Sequence, residues 1–422
     1  MKEDFLHYLW QYQLFSPSKL VTTKGIDVSV IKTGEHNNNA GPDFFNAQVR
    51  IDGQLWAGNI EIHVRSSDWY VHGHENDKAY DTIILHVVWE YDVELYRKDN
   101  SVIPTIELKD KIDKQLVHKY YSLFQQNGKW INCEQSISTI DGFVLNSWLE
   151  KLYIERLEQK TTLIDELLHH TKNDWEAVLF ILLAKNVGLN INGTTFLQFA
   201  KHIDFSIVRK TRHQLLSLEA LFFGQAGFLA DVIEDGYYQQ LQKEYNYLKT
   251  KFNLEELKLD FQFFRLRPPN FPTVRLAQLA ALYHQKGSLF TDAMEVTEIS
   301  KFYDLFKVAI SDYWKTHYSF TATSKKSPKN ISKELIDLII INTIIPLKFK
   351  YQQTLGVVET DKILELATQL KAEKNAIIEK FGELKIKSNN AFETQALLQL
   401  KKEYCAELRC LECKIGNSIL KN

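Results

Sequence analysis

The dipeptide Asp52-Gly53 separates two runs in which apolar and polar residues alternate. Before it, Ala47, Val49 and Ile51 alternate with Gln48 and Arg50; after it, Trp56, Ile60, Ile62 and Val64 alternate with Asn59, Glu61 and His63. Asp-Gly between such runs is a strong hairpin signal, because a two-residue turn needs positive φ at both central positions. A turn this short leaves no freedom of register: Ile51 must face Gln54, and every residue upstream inherits one partner. Around this fixed point the neighbouring segments fall into place. Residues 26–31, apolar at Ile26, Val28, Val30 and Ile31, read as a further strand. Residues 3–14 read as a helix with Phe5, Leu9, Trp10 and Tyr12 or Gln13 on a packed face, ended by Ser16-Pro17-Ser18. Residues 82–89 are apolar on both phases apart from His86, the pattern of a strand covered on both faces. The predicted order is helix, three-stranded meander, short irregular or helical segment, buried strand.

From about Ile112 the period becomes helical, with stretches rich in Leu, Glu, Lys and Gln. Helices are expected over 143–170, 174–186, 210–223, 226–249, 274–284, 300–314, 333–345, 361–381 and 394–410. Breaks are expected at Asn192-Gly193, at Arg267-Pro268-Pro269-Asn270, over 324–330 and at Ser388-Asn389-Asn390. At 422 residues the chain exceeds a single core. The reading is an α+β protein, with a mixed-sheet α/β domain over 1–125 and a large, mainly helical region over 126–422. Lys and Arg number 51 against 53 Asp and Glu, so no global attraction to nucleic acid or membrane is built in, although a local basic surface is compatible with that balance. The longest apolar run, 338–347, contains Asn342 and Pro346 and falls short of the roughly 20 residues of a spanning helix. Met1-Lys2-Glu3-Asp4 opens with acids and no apolar core follows, so the expected location is cytoplasmic, with no membrane partner.

Acidic and imidazole groups are concentrated between residues 41 and 89. Gly41-Pro42-Asp43-Phe44 is followed by Glu61-Ile62-His63, Ser67-Asp68-Trp69, His72-Gly73-His74 and His86. Carboxylate oxygens and imidazole nitrogens are the usual ligands of divalent ions. His63, His72, His74 and His86, with Asp68, suit a borderline metal such as zinc or iron. A different reading of the same residues is a polar network tying a loop to a sheet, with Trp69 and Trp56 as packing anchors and His86 as a core histidine.

The element order, with Pro42-Asp43 and Glu61-Ile62-His63, resembles the PD-(D/E)xK nuclease-like superfamily. His63 stands where that motif usually has lysine. The resemblance implies Mg²⁺ or Mn²⁺ held by Asp43 and Glu61, with His63 orienting or deprotonating water, and DNA or RNA as partner. Register raises a conflict. With Ile51 opposite Gln54, Asp43 falls opposite Ile62 and shares its face, leaving Glu61 and His63 on the other. A shared site therefore requires a one-residue bulge between Asp43 and Ala47.

Two further islands carry chemistry. Cys405, Cys410 and Cys413 form C-x4-C-x2-C, and Cys133 is the only other cysteine. Four thiolates satisfy tetrahedral zinc or a cubane iron–sulfur cluster. Such a structural site would pin the C-terminus onto the junction between the domains. The arrangement resembles the iron–sulfur staple of some helicase-associated and CRISPR-associated nucleases of the superfamily, although there the remote cysteine precedes the nuclease core. The alternative is a set of buried or unpaired thiols. Arg265, Arg267, Asn270 and Arg275 surround a proline-stiffened turn, which suits either a phosphate or carboxylate ligand or a buried arginine brace. Gly41-Pro42-Asp43-Phe44, Gly58-Asn59-Ile60-Glu61-Ile62-His63, the Ser67–His74 motifs, Arg267-Pro268 with Asn270-Phe271-Pro272, and Cys410-Leu411-Glu412-Cys413-Lys414-Ile415-Gly416 together resemble a widespread bacterial domain-of-unknown-function family. The leading expectation is a metal-dependent phosphodiesterase or nuclease. Against it stand a non-catalytic binding or assembly protein with a structural metal site, and a zinc or iron hydrolase of small molecules.

Overall fold

The computed structural model describes residues 1–16, 20–37, 39–125 and 128–421, so Pro17 and Ser18 of the expected helix stop lie outside the described residues. The chain forms two compact units. The first comprises Met1–Trp148, Leu384–Ile386 and Leu400–Asn422; the second comprises Leu149–Glu383 and Lys387–Gln399. The architecture is α+β, a mixed sheet followed by a large helical region.

The first unit opens with helix α1 (Glu3–Gln11), followed by strands β1 (Val28–Lys32), β2 (Glu35–His36), β3 (Phe44–Ile51) and β4 (Gln54–Arg65). A short helix α2 (Asp68–Val71) and two 3-10 turns lead into β5 (Ile83–Glu90), β6 (Thr105–Glu107) and helix α3 (Lys114–Phe124). Sheet order is β1-β3-β4-β5-β6, with β2 also pairing to β3. The turn residues Asp52 and Gly53 have φ of 51° and 76°, and Ile51 pairs with Gln54, as the Asp-Gly signal requires. Upstream, Ala47 pairs with Gly58 but Phe44 pairs with Ile60, so one extra residue is inserted between them. Asn46, at φ 56°, takes the left-handed conformation of this bulge, and Asn59 Oδ1 accepts its backbone N–H. The predicted bulge is present.

β4 and β5 run parallel, pairing Glu61 with His86 and His63 with Val88. Six of the eight β5 residues are buried, in keeping with a strand covered on both faces. Fully buried Phe5, Leu6, Leu9 and Trp10 of α1 join Ile60, Ile62, Leu85 and Val87 in one core. Each such aliphatic or phenyl side chain contributes roughly 1.5–3 kcal/mol on burial. Tyr12 is not part of that face: α1 stops at Gln11, and Tyr12 is 44% exposed. Trp56 is likewise no anchor, being 42% exposed on the hairpin, whereas Trp69 is buried with Ile83, Leu95 and Ile103.

The second unit is helical. Helices Trp175–Val187 and Pro272–Gln285 lie close to their expected ranges, whereas the helix expected over 226–249 begins only at Gly236 and runs to Phe252. Asn192-Gly193 does not break the chain; both sit within helix Leu189–His202. The Asn192 side chain pairs with the backbone of Gln262 in both directions, and a Cβ on Gly193 would meet Lys185 O at 3.2 Å, so this dipeptide serves close packing. Expected helix 361–381 is two helices, Thr360–Thr368 and Ala376–Glu383. Before Pro346 the helix widens into a π turn over Ile340–Ile344, consistent with the missing proline N–H. Among the described residues no helix is long and apolar enough to cross a membrane.

Candidate functional site

The bulge in β3 sets the chemistry of the first unit. By shifting pairing one residue, it places Asp43 beside Glu61 at the end of the strand. The Asp43 backbone N–H donates to Glu61 Oε2 at 3.2 Å, and Ile62 N–H donates to Asp43 Oδ2 at 2.9 Å. His7 of α1 brings Nε2 within 3.3 Å of the same Asp43 oxygen.

On β4, Glu61 and His63 share a face by the two-residue period of a strand. The α2 segment supplies two more imidazoles. Gly73 adopts φ 72°, a conformation that glycine takes without penalty, and it reverses the chain between His72 and His74. His63 Nε2 lies 3.1 Å from His72 Nδ1, and Glu61 Oε1 lies 3.2 Å from His74 Nε2 and 3.6 Å from His63 Nε2. Among the described residues, His63, His72 and His74 are the three side chains whose possible ligand atoms all lie within 4.8 Å of one another. Tyr80 stacks on His74 at 3.8 Å between centroids, and Trp69 stands edge-on to it. Behind them His86 is fully buried, its Nε2 2.8 Å from His63 Nδ1.

Burial pushes the Glu61 carboxyl up to about 7; the Asp43 charge adds to this and His74 opposes it. Burial, with neighbouring His74 and His72, holds His63 down at about 3, and His86 lies well below the ordinary range for the same first reason. Both imidazoles are therefore neutral near pH 7, the form that binds metal. For His7 burial acts downward, but the Asp43 carboxylate outweighs it and the net shift is upward. The buried His63–His86 contact has one proton to place. Metal on His63 Nε2 requires the proton on Nδ1, donated to His86 Nε2. That puts the His86 proton on Nδ1, which is buried without a partner.

The other expected residues divide. Asp68 does not join the cluster through its carboxylate, whose Oδ2 accepts the Arg65 backbone N–H at the entrance to α2. The turn there is also held by Asp92, which accepts from Ser66 Oγ, Ser67 N and Ser67 Oγ. Arg265, Arg267, Asn270 and Arg275 belong to the second unit. Arg265 and Arg267 are exposed, but Arg275 is buried and its guanidinium donates to Asn270 Oδ1 and Gln278 Oε1. Around Arg275 the geometry is that of a brace. Cys133, Cys405, Cys410 and Cys413 all line one small cavity in the first unit.

Sequence reasoning did not single out His7, His36 or Tyr80, and it treated His86 as a core residue when taken alone. His86 was findable as the one polar residue within the apolar run 83–89. His7 had no comparable signal, since only tertiary packing carries α1 to Asp43.

The fold and this carboxylate–imidazole cluster define an α+β protein with a candidate metal centre on its mixed sheet. The chain belongs to the family described as protein of unknown function DUF2851, which it matches over residues 3–376. No curated protein and no solved structure matches it.

Proposed function

We propose that this chain is a divalent-metal-dependent phosphodiesterase acting on nucleic acid, its ion held by His63, His72 and His74, with Glu61 beside His63 and His74. The observation that carries the reading is the spacing of their ligand atoms. The ligand atoms of the three imidazoles all lie within 4.8 Å of one another, and His63 Nε2 stands 3.1 Å from His72 Nδ1, near the roughly 3.3 Å edge of a tetrahedron with metal–nitrogen bonds of about 2.0–2.1 Å. Three imidazoles favour Zn²⁺, Fe²⁺ or Mn²⁺ over Mg²⁺, which prefers oxygen. Asp43 then acts through His7 and Glu61, and His63 is a ligand instead of a base. A bound ion would supply Lewis-acid stabilisation of charge on a phosphoryl oxygen.

His7 connects this cluster to a cavity of about 480 Å³ that also contains His36, Tyr8, Tyr12, Tyr120 and Phe124. Aromatic side chains beside cationic groups suit unpaired bases and their backbone, and Lys2 and Arg409 line the same cavity, together with acidic Asp4, Glu407 and Glu412. His7, whose protonated form the Asp43 carboxylate favours, is placed to give a proton to a leaving oxygen. The test is turnover of single-stranded DNA and RNA with Mn²⁺, Zn²⁺ or Mg²⁺. Turnover that survives both Glu61→Gln and His72→Ala would remove the proposal.

One observation favours a non-catalytic reading. Asp43 Oδ2 and Glu61 Oε2 already accept backbone N–H groups, as they would in a network that merely knits β3 to β4. Tight oligonucleotide binding with no cleavage under any of the three ions would favour a binding protein.

A further inference from the structure

We infer that Cys133, Cys405, Cys410 and Cys413 form a second, independent metal centre, in which four thiolates bind one cubane iron–sulfur cluster: no three of the four sulfurs lie within 4.8 Å of one another, wider than the roughly 3.8 Å edge of a single-zinc tetrahedron. The chain has four cysteines in all, and two segments separated by more than half the sequence bring every one of them to the same cavity. The cavity is walled by Asn132, Leu400, Tyr404, Ile415 and Gly416 besides the cysteines. None of the four is in a disulfide. A set of merely hydrophobic cysteines would have no reason to converge from both segments.

The backbone around them is built for close approach to sulfur. Leu400–Cys405 is a π turn, a feature common at functional sites, and Leu408 adopts φ 56°, so the connection between Cys405 and Cys410 is held in a conformation unusual for leucine. Helix Lys414–Lys421 begins directly after Cys413, and the N–H groups of Ile415 and Gly416 donate to the Cys413 sulfur. Asn132 Nδ2 lies 3.6 Å from Cys410 Sγ. N–H donors aimed at sulfur are the outer-shell support that metal-bound thiolates require. Gly416 has no alternative: a Cβ there would stand 2.1 Å from the Cys410 carbonyl oxygen.

Binding is a proton-for-metal exchange with no net redox change. Each thiol loses its proton to solvent and forms one sulfur–metal bond, to an iron of a preformed cluster. The centre would tie the 405–413 loop to Cys133, and that loop supplies Leu408, Arg409, Leu411 and Glu412 to the 480 Å³ cavity.

The experiment is metal and sulfide analysis of the anaerobically purified full chain, made in the His72→Ala background so that the histidine cluster does not contribute. About four iron with matching sulfide and a visible absorption band supports the inference. About one zinc per chain with sulfur-only coordination by X-ray absorption and no iron overturns it. The iron must be lost in Cys405→Ser and in Cys133→Ser. Circular dichroism guards against misfolding, and thiol titration must find the cysteines protected in the unsubstituted protein until a chelator or oxidant releases the metal. No stoichiometric iron and sulfide, including after ferrous iron and sulfide are offered to the reduced chain, overturns the inference; so does iron retained at full occupancy in both serine variants. Failure of nuclease activity would leave this result untouched.

Discussion

In sequence, the histidine cluster of the first unit and the arginine turn of the helical unit are similar, each a dense polar motif beside glycine or proline. They differ in how far the protein satisfies them. At the turn, Arg275 donates to Asn270 and Gln278, and Gln278 Nε2 donates onward to the Lys329 carbonyl, so the network closes on itself with only Arg275 Nε left over. In the cluster, imidazole nitrogens face one another and a carboxylate across 3.1–3.6 Å, and buried His86 Nδ1 finds no hydrogen-bond partner. A buried polar group without a partner costs about 1–3 kcal/mol. A network that closes is a brace; one that leaves acceptors converging on a point has room for a cation.

Substitutions test this contrast, the largest effect first. Glu61→Gln should lower metal-dependent turnover about 100-fold or more, because Lewis-acid catalysis supplies several kcal/mol. Arg275→Ala should leave turnover per folded molecule unchanged while lowering unfolding free energy by about 2–4 kcal/mol, since it strands Asn270 and Gln278; denaturant melts read this directly. Equal loss of activity per folded molecule in both variants would erase the distinction. His86→Ala should weaken metal binding about 10- to 100-fold without abolishing it, as removal of an outer-shell partner does, measured by competition with a chromogenic chelator. Arg265→Ala with Arg267→Ala should change stability by less than about 0.5 kcal/mol, both being exposed. A drop in oligonucleotide affinity in that double variant, with its salt dependence reduced, would assign those two arginines to phosphate.

The cluster should also have a pH signature in metal-free protein. Glu61 is raised to about 7, so the folded state holds a proton that the unfolded chain releases near the ordinary carboxylate value. Its contribution is fully present below about 4.5 and is lost as pH rises through about 7. His63 acts in the opposite sense. Its folded value of about 3 lies below the unfolded 6.5, so stability is lost as pH falls from about 6.5 toward 3. Glu61→Gln should therefore be more stable than the unsubstituted protein at pH 8, on the order of 2 kcal/mol. The gap should narrow toward pH 4.5 and shrink when the metal is added. A gap independent of pH in thermal melts would mean that Glu61 is not strained by burial.

Much of this was legible in the sequence. Asp52-Gly53 and the alternation beside it determine the hairpin, and the hairpin's register alone exposed the need for a bulge before Ala47, because turn length and strand period are local properties. The change to helical period after Ile112 is local in the same way, although Asn192-Gly193, a break by composition, lies inside a helix where close packing outweighs propensity. Four cysteines in two segments were visible as a set. What only the tertiary structure decided is which polar groups meet. His7 reaches Asp43 because α1 packs on β4, His86 joins His63 because β5 adds parallel to β4, and Asp68 is spent on a backbone N–H. Such meetings depend on strand order and helix packing across dozens of residues, and no periodicity along the chain encodes them.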